Sequence, residues 1–277
     1  MSADAEAPAE RVPESGALFA YESRRRLRGS LALGVGMSLL GLLMVAFFPS
    51  VQASGADLEA YVESLPPAFA EAFGIEAFTT LGGFLAAELY AFGWVILLGL
   101  YVAYRAGGSV AGDVERGRMD LLLSTPVSRR RVVVESFASL LVPVAVVNAV
   151  AFLAVYAGTL AIDGSIPLLD LLAVHLLSVP YLLACGGIGL LLSVALRRRG
   201  LAERAALGAV FALFLVETVA SSAGYDAVAA LSPTAYYDPT AVLVHGEYAV
   251  GDAVLLSVAT LLLVAASAAV FDRVDVR

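Results

Sequence analysis

Residues 168–199 read LLDLLAVHLLSVPYLLACGGIGLLLSVALRRR. After Asp170, no Asp, Glu, Lys or Arg occurs until Arg197. A helix of that length exceeds the roughly 20 apolar residues needed to cross a hydrocarbon core of about 30 Å. In water, a helix that is apolar all round would leave its outer face uncovered. The stretch therefore predicts a transmembrane helix, kinked near Pro180. Its end falls where Arg197, Arg198 and Arg199 would meet the headgroup layer.

The same pattern recurs outward in both directions. It predicts spans at about 30–49, 84–104, 135–160, 168–196, 205–222 and 251–271. Pro143 predicts a kink in the third. Composition agrees: 60% of the chain is hydrophobic and mean hydropathy is +0.86. Charged residues make up 15%, against roughly 25% in soluble domains. The fold class is all-α: a polytopic membrane protein with six transmembrane helices. Residues 1–29 form an arm, 30–271 the transmembrane domain and 272–277 a tail.

Arginine sets the expected orientation. The chain has 17 basic residues, all Arg. Arg11, Arg24, Arg25, Arg26 and Arg28 lie in the arm; Arg105, Arg116, Arg118, Arg129, Arg130 and Arg131 join the second and third spans. Arg197, Arg198, Arg199 and Arg204 join the fourth and fifth, and Arg273 and Arg277 fall in the tail. The alternate connections carry acids such as Asp57, Glu71, Asp163 and Asp238, and no base. Basic segments stay cytoplasmic. Six spans then predict both termini inside, whereas an odd number would break the partition.

Within the arm, residues 14–28 predict either an amphipathic helix on the inner membrane surface or a disordered segment. Val51, Gln52 and Ala53 resemble a signal-peptide cleavage site. The preceding apolar run, however, is longer than the roughly 7–15 residues of a signal h-region.

Several chemistries are excluded. Without lysine the chain has no standard P-loop and no Schiff-base amine. Its net charge of −8 argues against nucleic acid as a partner. Cys185, the single cysteine, can form no internal disulfide and reads as packing. Gly186, Gly187 and Gly189 read as close helix contacts. His245, Glu247 and Asp238 lack metal-ligand spacing. Ser109 is separated across the membrane from any histidine base.

The densest polar stretch is 111–131, AGDVERGRMDLLLSTPVSRRR. Asp113, Glu115, Arg116, Arg118 and Asp120 offer mixed charge, and Leu121, Leu122 and Leu123 an apolar patch. Gly112 and Gly117 loosen the backbone, Pro126 stops a helix and Ser128 predicts an N-cap for the third span. A short surface helix with apolar side chains beside arginines suits either docking to a partner or simple anchoring.

The run Glu115-Arg116-Gly117-Arg118 through Pro126-Val-Ser-Arg129 resembles the signature of type-2 ATP-binding-cassette (ABC) permeases. Leu231-Ser-Pro-Thr-Ala-Tyr-Tyr-Asp238 is similar to a Ser/Asn-Pro motif found near the outer end of the family's fifth span. The resemblance covers most of the chain. It implies that the cytoplasmic segment between the second and third spans is a coupling helix contacting a separate P-loop ATPase subunit. Docking would then fall to Asp113, Glu115, Arg116, Gly117, Arg118, Leu121, Leu122, Pro126 and Arg129. The resemblance further implies a second permease copy, ATP and magnesium on the partner and no cofactor on this chain. It implies outward transport of a lipid-like or drug-like substrate across the cell membrane, although some relatives assist enzyme assembly outside the cytoplasm. The sequence departs from the family at Glu135-Ser136, where a lysine is common. Acid excess with arginine in place of lysine suggests a salt-loving archaeon or a GC-rich bacterium.

Polar residues inside spans are costly and carry a functional expectation. Glu88, Asn148 and Glu217 could line a translocation path, or bond between helices. An ion-driven carrier using Glu88 or Glu217 is the alternative mechanism. No inverted repeat of the kind common in such carriers is apparent.

Overall fold

The computed structural model describes residues 16–53, 80–124 and 127–273. Six helices in it are long and apolar enough to cross a bilayer: Ala17–Ala53, Leu81–Glu115, Arg129–Ala161, Leu168–Leu196, Arg199–Ser222 and Val250–Asp272. These are the first to sixth spans below. Among the described residues there is no strand, so the all-α, six-span expectation holds.

The fourth span has the predicted bounds, and the sixth is within a residue of them at each end. The first three are longer than predicted, and the fifth begins six residues earlier, at Arg199 rather than 205. The first runs unbroken from Ala17, so the described part of 14–28 is the opening of this span rather than a separate surface helix. Nothing between Ala17 and Leu31 stops a helix. Gly29 and Ser30 lie within it, and the Ser30 hydroxyl donates back to the Arg26 carbonyl at 2.9 Å. Residues 1–15, the bulk of the predicted arm, lie outside the described residues.

The third span begins at Ser128, whose Oγ accepts from the Arg131 amide at 3.3 Å, the N-cap read from sequence. It is interrupted at Ser139–Leu140, and the following helix, Leu141–Ala161, carries Pro143 in its first turn. Proline fits there because the amides of a first turn need no intrahelical partner. In the second span, Ala86–Leu98 is wound as a π-helix, a form concentrated at functional sites.

The fourth span is central. It packs against the second, third, fifth and sixth, while the first lies along the third. Tyr181, Leu182, Cys185 and Leu190 fill its buried face. Gly189 is needed there: a Cβ on it would stand 2.2 Å from the Ala103 carbonyl oxygen of the second span.

Side-chain bonds tie the helix ends together. At one end, Glu135 accepts from the Gly16 and Phe19 amides, joining the starts of the first and third spans. Glu115 accepts from the Arg199 amide at 2.7 Å, joining the end of the second to the start of the fifth. The Ser193 hydroxyl accepts from the Ala111 amide at 2.9 Å, and Arg130 pairs with Asp272. The described arginine-bearing segments therefore converge on one end, called here the basic end.

The opposite, acidic end is folded inward. Tyr237 donates to the Val174 carbonyl at 2.9 Å and stacks on Tyr181 at 5.5 Å between ring centroids. Ser232 caps the 3-10 turn Pro233–Tyr236, and Asp238 caps Pro239–Leu243. Tyr248 donates to the Asp170 carboxylate, a bond that holds its hydroxyl above the ordinary phenol range.

Candidate functional site

At the basic end the second span stops at Glu115, and Gly117 turns the chain at φ +67°. That left-handed conformation suits glycine. A short helix, Arg118–Leu123, follows. Met119 anchors it, fully buried among Val110, Val132, Leu190, Val264 and Phe271. With Met119 inward, Leu121 points out and is 72% exposed. Asp120 is exposed and Leu122 half-buried.

The charges flanking the Gly117 turn are matched within the chain. Asp113 accepts from Arg116 and Arg118, bracing both sides of the Gly117 turn. Glu115 is committed to the Arg199 amide, and Arg199 also pairs with Glu203 at 2.7 Å. Arg129 turns to the sixth span, donating to the Phe271 carbonyl at 3.4 Å with its guanidinium 5.9 Å from the Phe271 ring centre. The structure thus places Asp113, Arg116, Gly117 and Arg118 together. Glu115 and Arg129 act as ties to the fifth and sixth spans, and Leu121 is the apolar side chain left facing out. Pro126 lies outside the described residues.

Glu135 gains a physical account. Its carboxylate accepts from Gly16 N at 3.2 Å, Phe19 N at 3.0 Å and Arg131 Nε at 2.6 Å. The two amides are unsatisfied donors of a helix start. A lysine ammonium could accept from none of the three.

The residues considered for a path occupy three settings. Glu88 is exposed on the π-helical stretch. Glu217 is half-buried and accepts from Ser221 at 3.2 Å and Thr234 at 3.5 Å. Asn148 is buried, and its Oδ1 accepts from both Trp94 Nε1 and Ser178 Oγ at 3.1 Å. Its Nδ2 donates to the Val144 carbonyl at 3.0 Å.

Asn148 belongs to a cluster that sequence reading did not assemble. His175 is buried within it, edge-on to Tyr90, Trp94 and Phe152 at 5.3–5.6 Å. Its Nδ1 donates to the Leu171 carbonyl at 2.8 Å, which leaves Nε2 to accept from the Tyr90 hydroxyl at 3.5 Å. Second, third and fourth spans meet here through polar atoms. The chain's one tryptophan, placed inside a span, was the available clue: its N–H needs an acceptor when buried. Replacing Asn148 by leucine leaves that N–H without its acceptor, while the Ser178 hydroxyl keeps the His175 carbonyl at 2.7 Å. An N148L chain should lose about 1–3 kcal/mol, seen as earlier thermal unfolding in detergent. Adding W94F should recover part of the loss.

Compared with known families, residues 17–276 match the model of the ABC-2 family transporter proteins. No curated protein matches the chain.

Proposed function

The chain belongs to the ABC-2 transporter family, and on that premise we propose that it is the permease subunit of an ATP-driven exporter. Membership makes it a membrane component of an ABC transport system. The finer reading adds a separate P-loop ATPase subunit, a second permease copy, and both termini on the cytoplasmic side with the basic end. ATP and magnesium belong to the partner. Motion of that partner passes through Asp113–Leu122 into the spans.

One observation carries this reading. The short helix after the second span is anchored by Met119 and braced by Asp113, yet presents Leu121 to the outside. A rigid helix with an exposed apolar side chain on a charged rim is the anatomy of a docking surface.

The test is purification of the full chain together with cassette ATPases from the same cells, followed by transport into inverted vesicles. The expected result is a stable complex and uptake that stops on ATP depletion but survives a protonophore. Uptake abolished by the protonophore and indifferent to ATP would reject the proposal.

A further inference from the structure

One buried charge belongs neither to the short helix nor to the aromatic cluster. The Arg26 side chain, in the first span, is only 5% exposed. The Glu22 carboxylate one turn away stands 3.7 Å from its Nε, and lies nearer to Arg25, at 3.0 Å. Among the described residues, Arg26 Nε and Nη1 have no hydrogen-bond partner, nor has the buried Oγ of Ser23. Glu22, four residues before Arg26, and Ser23, three before it, each neighbour Arg26 on the helix surface. Arg105 and Tyr101 of the second span act electrostatically on the Arg26 charge, as does Arg25.

Two guanidiniums, those of Arg25 and Arg26, share one carboxylate, and Arg105 adds to the positive field. A buried guanidinium with open donors is costly to hold, and its planar fork matches phosphate oxygens. Depth selects the source of such an anion. Arg26 stands about 7–8 Å of helix below Leu31, where the long apolar run begins. The headgroup layer adds about 5–7 Å on each side of the hydrocarbon, so Arg26 stands at its outer edge, where lipid phosphates lie.

We propose that Arg26, Arg105 and Ser23 form a binding site for the phosphate of an anionic phospholipid in the leaflet at the basic end. Arg26 supplies the buried fork, Ser23 a hydroxyl and Arg105 the second positive charge. Glu22 opposes the anion and limits its affinity. The site involves no ATPase contact, so it stands apart from the transport reading.

The experiment follows thermal unfolding of the full chain in uncharged detergent. Dioctanoyl phosphatidylglycerol, dioctanoylglycerol and inorganic phosphate are titrated separately. The phosphatidylglycerol should raise the unfolding temperature and the uncharged lipid should not. R26Q and R105Q should each weaken the apparent affinity ten-fold or more, whereas E22Q should strengthen it. Equal shifts with the two lipids, a wild-type response in R105Q whether or not R26Q folds, or weaker binding by E22Q would overturn the site. A shift with inorganic phosphate equal to that with the charged lipid would keep the anion site but reject the lipid as its source.

Discussion

On the proposed docking, replacing Leu121 by aspartate should leave the protein folded and strip it of the proposed ATPase subunit. Leu121 is 72% exposed, so the change removes little internal packing. In a docked complex the same side chain would be buried, and a carboxylate there would lose its water without gaining a partner. Central apolar anchors at interfaces contribute about 2 kcal/mol or more when truncated, a loss of about thirty-fold or greater in affinity. The expected readouts are an unchanged unfolding temperature and a complex that falls apart on size-exclusion chromatography. Charge reversal at Glu115 is a poorer probe, because it also breaks the bond to the Arg199 amide. An L121D chain that still co-purifies with the ATPase at wild-type yield would remove the short helix from the interface.

Substituting valine for Gly189 should have the largest effect on the fold itself. The Cβ alone would meet the Ala103 carbonyl oxygen at 2.2 Å. That atom is backbone of a packed helix, so no side-chain rotation relieves the overlap. Overpacking of a close-packed core costs about 1–3 kcal/mol. Here two spans must separate, so the upper part of that range is the minimum expected. The variant should yield aggregated protein in detergent, or unfold well below the parent temperature. Gly208 is the control: a Cβ there meets nothing within 4 Å. G208A should unfold at the parent temperature or slightly above it, since alanine is the better helix former.

Span number and the clustering of arginine were legible because both follow from one-dimensional quantities, apolar run length and charge position. The fourth helix coincides with the predicted run because Pro167 and Arg197 bracket a stretch free of competing signals. The first and third spans were read short for a single reason. Their basic ends stay helical beyond the apolar run through bonds that hydropathy does not register: Glu135 holds the Gly16 and Phe19 amides at the start of the first, and Arg129 and Arg130 bond to the sixth. Ser128 was legible as a cap because its role is local. Glu135 was not, because the amides it serves lie more than a hundred residues earlier. The same limit hid Met119 and the meeting of Trp94, Asn148 and His175. Spacing along one helix gives the face a side chain occupies but not which neighbour it meets. At the candidate docking site the residue types were found in advance. Their division into braces, ties and one outward leucine required the folded chain.

The bond between Glu115 and the fifth span has a mechanical corollary. With Ser193 holding Ala111, it harnesses three helices to the same few residues. A load applied at Leu121 would therefore be shared at once, with no single helix free to slide alone like a piston. Sliding would first have to tear backbone amides from their acceptors, whereas tilting the harnessed group as a block would leave every such link intact.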